Sequence, residues 1–322
     1  MFDYYLKIFE NLFFNVEENE EVKSVIEQAS FVLASIITKF GEIENEISSG
    51  SSRQDDFIDT VVCLFVRKII EQLDAINVLF SVSSFTQTQI ILRSLIENII
   101  SLEFILKEDT EKRAAAYYLE HHYQEIELGV EIYDKNSDYG KLIIANKGEE
   151  QFNKDYEKYK KKRDAFKRIV KSKEIFQKVD EARNKKLSGK KKTKSGKVYI
   201  KWYEVCIGIT SFRELMKETG FERYYQSIYG GISKETHALN STMDLYVDED
   251  GISLKGIRNP ERGGSTFSLT CTFSISALKK IYEYLNDGEE EKREFESFFI
   301  DFKQKRDIAR HNLDMITSSQ SN

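Results

Sequence analysis

The chain has 322 residues, with a single proline, 32% charged, 40% hydrophobic and 12% aromatic side chains, and a formal net charge of −6. These proportions exclude a disordered chain, a collagen-like fibre and a disulfide-stapled miniprotein. The near absence of proline and the abundance of Lys, Glu, Leu and Ile favour long helices, and a chain of this length can fill one large core or two modest ones, so the expected class is all-α.

In chain order, the first 60 residues hold 13 Asp or Glu against 4 Lys or Arg, and Phe2, Tyr5, Leu6, Phe9, Leu12 and Phe13 recur at helical spacing. They read as one short and one long amphipathic helix, an acidic N-terminal extension over 1–50. The remainder, 55–322, reads as one helical bundle domain. A Ser-Gly-Ser-Ser run from Ser49 closes the first unit, and Asp55-Asp56 starts a helix through Val61, Leu64, Phe65, Ile69, Leu73, Ile76 and Phe80. A break at 81–84 leads into the most apolar stretch, 90–106. Because that stretch contains Arg93, Glu97 and Glu103, it is expected to be a buried helix and not a membrane span. A further helix is predicted over 110–133.

Residues 154–197 break the composition, with 19 Lys or Arg against 6 Asp or Glu. This basic insertion reads as a long charged helix followed by a mobile loop over 185–197, KKLSGKKKTKSGK, in which Gly and Ser sit among repelling charges. Then come Trp202, a helix over 211–218 stopped by Gly220, and a helix through Tyr224, Tyr229 and His237. Leu245-Tyr-Val, Asp248-Glu-Asp-Gly251 and Ile-Ser-Leu read as a small β-hairpin, and two helices, over 266–285 and 289–315, finish the chain.

Cys63, Cys206 and Cys271 are far apart and odd in number, so they form neither a disulfide framework nor a zinc pattern; a reducing cytoplasm is the expected setting. The N-terminal residues lack the basic start and apolar run of a secretory signal. No cofactor fingerprint is present. The 189–196 segment has the wrong spacing for a Walker phosphate loop, 248–251 is too short for an EF-hand, and the adjacent His121 and His122 point about 100° apart on a helix, away from a shared metal.

Arg93 and Glu97 stand one helical turn apart in an otherwise apolar helix, and burying such charges is costly unless they are paired or used. They read either as a structural ion pair or as a site in which Arg93 binds an anion and Glu97 orients a neighbour. Tyr225, Tyr229, Ser233 and His237 recur every four residues, placing two phenols, a hydroxyl and an imidazole along one helix. His237 there is either a general acid or base or a capped core histidine. The Gly230-Gly231 pair costs about 1 kcal/mol per residue in a helix relative to Ala. It therefore suggests close packing, a kink or backbone exposed to a ligand.

The segments ILRSLIE over 91–97, Trp202, and YGGISKETH over 229–237 together resemble a bacterial family known as domain of unknown function 5677, across roughly 60–260. By that resemblance Arg93, Glu97, Tyr229, Ser233 and His237 are carried into one site. The chain departs from the family pattern at Gly230, where an arginine often follows the tyrosine, and at Ala238-Leu239, where the family usually has a small pair after the histidine. RDIARH over 306–311 is similar to the short arginine–histidine motif of HEPN-type helical ribonucleases. That likeness implies a metal-independent ribonuclease common in toxins and phage defence, usually a homodimer, with Arg306 and His311 acting on the scissile phosphate and the ribose 2′-hydroxyl.

Two functions follow as expectations. One is a cytoplasmic phage-defence or toxin-like effector acting on RNA, with a protein partner from a defence operon. The other is a non-enzymatic sensor or adaptor binding an anionic ligand, nucleic acid or protein partner. Lys185, Lys186, Lys190, Lys191, Lys192, Lys194 and Lys197 are the expected nucleic-acid contacts, with Tyr156, Tyr159 and Trp202 available for stacking; docking of this segment on its own chain or a sister protomer is the alternative.

Overall fold

In a computed structural model, the described residues are 19–50, 57–190, 200–231, 245–248, 251–254, 257–258, 263–285 and 289–319. The fold is all-α. The described helices are α1 Glu20–Gly50, α2 Phe57–Ser81, α3 Phe85–Lys107, α4 Thr110–Ile132, α5 Asp138–Lys147, α6 Glu149–Ser172, α7 Glu174–Gly189, α8 Trp202–Ile207, α9 Phe212–Glu218, α10 Gly263–Leu285 and α11 Glu289–Ser319. A single π-helical turn spans Tyr225–Tyr229. The backbone of β1, Leu245–Asp248, runs antiparallel to β2, Gly251–Leu254, with Leu245 opposite Leu254 and Asp248 opposite Gly251.

The chain divides into two compact units, one formed by 1–106 with 216–322 and the other by 107–215. Within the first unit α1 packs on α2, α10 and α11. The reason lies in its inner face. Leu33, Ile36 and Phe40 are fully buried, as are Val61, Ile69, Leu73, Ile76 and Phe80 along α2. Burial of this kind contributes roughly 1.5–3 kcal/mol per large side chain, enough to hold an acidic helix against the bundle through its apolar stripe.

The turn between α2 and α3 is fixed by backbone chemistry. Ser83 takes a left-handed conformation, φ +57°, while Ser84 N–H donates to Leu79 O at 2.8 Å and Ser83 N–H to Phe80 O at 2.9 Å. That closure ends α2 and starts α3 four residues later, with Phe85 meeting Phe80 edge-on at 4.7 Å. The register of α3 on α2 is set by polar side chains: Gln72 donates to Ser94 at 2.8 Å and accepts from Asn98 at 2.9 Å.

In the second unit α4 packs on α5, α6, α7 and α8. Arg183, 6% exposed, lies 3.9 Å above the Tyr123 ring and pairs with Glu127 at 2.6 Å, while the Tyr123 hydroxyl donates to Asp180 at 2.6 Å. Gly129 lets Tyr159 approach the α4 backbone, since a Cβ there would stand 2.1 Å from the Tyr159 ring. Gly148, φ +82°, separates α5 from α6.

Two expectations change here. Helix α7 runs to Gly189, so the first part of the segment read as a mobile loop is helical. Its Lys186 ammonium donates to Glu204 O at 2.5 Å and Lys190 pairs with the buried Glu204 carboxylate at 2.7 Å, because a buried carboxylate requires a charged partner. The aromatics expected to be available for bases are engaged in packing. Trp202 is 9% exposed and edge-on to Tyr117, and Tyr156 and Tyr159 stack with each other and with Tyr133. No described helix is long and apolar enough to cross a membrane.

Candidate functional site

Helix α3 presents Arg93 and Glu97 one turn apart because four-residue spacing returns a side chain to nearly the same face. Arg93 Nε donates to Glu97 Oε1 at 3.2 Å, with the arginine side chain 20% exposed and the glutamate 42%. The π-helical turn supplies the third member. Tyr229 donates its hydroxyl proton to Glu97 Oε1 at 2.6 Å and accepts from Arg93 Nη2 at 3.0 Å, and the guanidinium carbon lies 4.9 Å from the phenol ring centroid. Tyr225 stacks on Tyr229 with ring centroids 5.5 Å apart.

The π-helical turn ends at the glycine pair. Gly230 N–H donates back to Tyr225 O, closing the wide turn, and Gly230 has ordinary helical angles, φ −64° and ψ −38°. Among the described residues, a Cβ at Gly230 would meet only Tyr225 O at 3.5 Å and one at Gly231 nothing within 4 Å. π-turns occur often at functional sites because the extra residue re-aims the side chains around it.

Electrostatics gives each group a fixed role. Burial pushes the Tyr229 phenol up to about 12, reinforced by its donation to Glu97 and opposed by Arg93, so it is a neutral donor at physiological pH. Burial pulls the Arg93 guanidinium down, but Tyr229 and Glu97 outweigh it and the net direction is up. The cluster thus offers a permanent cation and a neutral hydroxyl, held by a carboxylate on a partly exposed face. Within this set the guanidinium is the group suited to phosphate oxygens, since the phenol gives its one proton to Glu97.

Arg93, Glu97 and Tyr229 are therefore brought together in one hydrogen-bonded cluster. Ser233 and His237 lie outside the described residues. Arg306 and His311 are on α11, where Arg306 is turned onto Asp307 by donations from Nε at 2.9 Å and Nη2 at 2.6 Å, and His311 is exposed. Of the basic residues, Lys185 is exposed, Lys186 and Lys190 are engaged with Glu204, and Lys191, Lys192, Lys194 and Lys197 lie outside the described residues. The stacking role of Tyr225 and the Gln72–Ser94–Asn98 clamp escaped the sequence reading; the four-residue spacing of Tyr225 and Tyr229 was the available signal for the first.

Other chemistries lack support among the described residues. No group of three or more His, Cys, Asp or Glu is placed to hold a metal ion. The three cysteines are free, and burial pushes the thiol up in each, to about 11 at Cys206, which disfavours the thiolate needed for nucleophilic chemistry.

No curated protein and no solved structure matches the chain. A family model does match: the family of unknown function DUF5677, over residues 59–254, a segment that contains Arg93, Glu97, Tyr229, Ser233 and His237 and stops before Arg306 and His311. Spanning more than half of the chain and all of the clustered site, that match establishes that the chain belongs to the family of unknown function DUF5677.

Proposed function

We propose that the chain is an RNA-acting effector of the phage-defence or toxin type, a metal-independent ribonuclease of HEPN-like character working in the cytoplasm. The observation that carries this reading is the convergence of Arg93, Glu97 and Tyr229 on one partly exposed face, built to hold a phosphate oxygen. Arg93 neutralises the scissile phosphate, and Glu97 and Tyr229 keep its guanidinium oriented. His237, eight residues beyond Tyr229 in the sequence, is assigned as the base that takes the proton of the ribose 2′-hydroxyl. The 2′-oxygen then bonds to phosphorus as the bond to the 5′-oxygen breaks and that oxygen takes a proton from solvent, leaving a 2′,3′-cyclic phosphate and a 5′-hydroxyl. Arg306 with His311 is the competing pair.

The second reading is a sensor or adaptor that binds an anionic ligand, nucleic acid or a protein from a defence operon. Its support is that Arg93 and Tyr229 both hold their protons far above neutral pH, so the described cluster by itself binds and does not transfer protons.

Incubation of the purified chain with total RNA in the presence of a chelator separates the two. Cleavage abolished by Arg93→Ala and by His237→Ala, and retained in His311→Ala, is the expected result. Cleavage that survives both substitutions overturns the assignment, and binding of RNA or of a nucleotide without cleavage moves the site to the second reading.

A further inference from the structure

Helices α10 and α11 leave a cavity of about 400 Å³ between them, within the size range of small-molecule sites. Positions 292, 295, 296 and 299 of α11 follow the i, i+3, i+4, i+7 spacing, so one face of that helix meets the cavity opposite 275–283 of α10. Ile275, Tyr282, Phe295 and Phe299 form its apolar walls. Tyr282 and Phe295 pack with ring centroids 5.0 Å apart, whereas Phe299 meets no other ring among the described residues. Aromatic walls of this kind attract organic cations, because the face of each ring is electrostatically negative.

The charges around the cavity decide which ligand fits. Lys279 stands 3.9 Å from Glu283, which also accepts from Lys280 at 3.1 Å, and Lys292 is engaged as well. Lys39, 5.7 Å from the Tyr282 ring centroid, is matched by Glu42 at 2.8 Å and Glu294 at 3.3 Å. Glu296 lines the cavity, is exposed, and has no ion pair among the described residues. Ser276, also in the lining, donates its hydroxyl to Glu103 of α3, a carboxylate 9% exposed that likewise has no ion pair among the described residues. A buried carboxylate without a cation is costly. The basic side chains are thus matched and two carboxylates are not, so the charge this cavity lacks is positive.

We propose that the cavity between α10 and α11 binds a small organic ammonium ion, with its apolar body among Tyr282, Phe295 and Phe299 and its charge toward Glu296 and the Ser276–Glu103 pair. An anion of the same size would meet two unpaired carboxylates, and an uncharged molecule would leave both unmatched. The inference stands apart from the RNA-acting reading, since no residue of the Arg93–Glu97–Tyr229 cluster lines this cavity.

The test is ligand-observed saturation-transfer NMR on the full chain, with benzyltrimethylammonium chloride as the cation and phenylacetate as an anion carrying the same ring. Saturation of the cation is expected, with phenylacetate bound at least about tenfold more weakly. Glu296→Lys is expected to weaken the cation about tenfold with an unchanged circular dichroism melt, because Glu296 is exposed and makes no ion pair. The same charge change at the exposed Glu181 of α7 is expected to leave binding intact, which separates a local contact from a general effect of net charge. Phe299→Leu keeps the wall apolar but removes the ring, and is expected to weaken the cation about threefold. A cation that is not saturated overturns the site, and phenylacetate bound as tightly overturns the charge of its ligand. Binding indifferent to Glu296→Lys overturns its place, and binding indifferent to Phe299→Leu overturns the aromatic contact.

Discussion

The Tyr229 hydroxyl donates to Glu97 Oε1 at 2.6 Å and accepts from Arg93 Nη2 at 3.0 Å, so one phenol bridges the ion pair on α3 to the π-helical turn. Tyr229→Phe removes both bonds while keeping the ring beneath the guanidinium. The phenol acts here through Arg93, which it holds in place, and misplacing one oriented donor to developing charge costs roughly 10²–10³ in rate. On the RNA-acting reading, single-turnover cleavage falls by about that factor in Tyr229→Phe, and loss of the two partly buried hydrogen bonds destabilises by roughly 1–3 kcal/mol. Arg93→Lys is expected to lose as much, because an ammonium lacks the planar fork. Full cleavage in either variant would sink the assignment.

The two glycines beside tyrosines behave oppositely on substitution. Gly230 has helical angles and open space, so Gly230→Ala is expected to stabilise by about 0.4–1 kcal/mol through the unfolded chain. Gly129→Ala drives a methyl into the Tyr159 ring and is expected to destabilise by roughly 1–3 kcal/mol. Denaturant melts of the two variants check the pair of signs.

The basic segment divides into structural and exposed lysines. Lys190→Ala leaves the Glu204 carboxylate, 8% exposed, without its 2.7 Å partner and is expected to cost about 1–3 kcal/mol. Lys185→Glu, at an exposed position, is expected to leave the melt unchanged. If the segment contacts nucleic acid, the same substitution weakens RNA retention and flattens its salt dependence in a filter-binding titration.

Glu103 provides a pH signature. Burial pushes its carboxyl above the ordinary range, while the Ser276 hydroxyl that donates to it and Lys280 act in the other direction. A raised carboxyl favours its neutral form in the folded state, so folding is penalised above the folded value and the penalty fades as pH falls toward the unfolded one. Glu103→Gln keeps an acceptor for Ser276 and removes the charge. It is expected to raise the melting temperature at pH 7, with the advantage vanishing near pH 4. Parallel wild-type and variant melting curves over that window would refute this.

The helical class and most helix limits are legible in the sequence, because period and breaks are local. The serines at 81–84 end α2, Gly220 with φ +84° follows α9, and the four-residue spacing of Arg93 and Glu97 puts them on one face whatever surrounds them. It also brought Tyr229 to that pair through resemblance, although a π-turn differs from an α-turn by one hydrogen-bond register and leaves no periodic trace.

Only the tertiary structure decided the rest, since those features depend on what lies across a contact. Lys190 reads as another charge in a basic run until the buried Glu204 stands beside it, and Trp202 reads as a free platform until Tyr117 and the α8 packing bury it. Composition likewise sets an acidic first segment apart, whereas the fully buried Leu33, Ile36 and Phe40 place α1 in the first unit. Along α11 the sequence shows a charged helix, and burial of Phe302, Ala309 and Leu313 is what turns Ile300, Ile308 and Met315 outward into an uncovered stripe. A helix must choose one face for its core, and that choice is made by its neighbours.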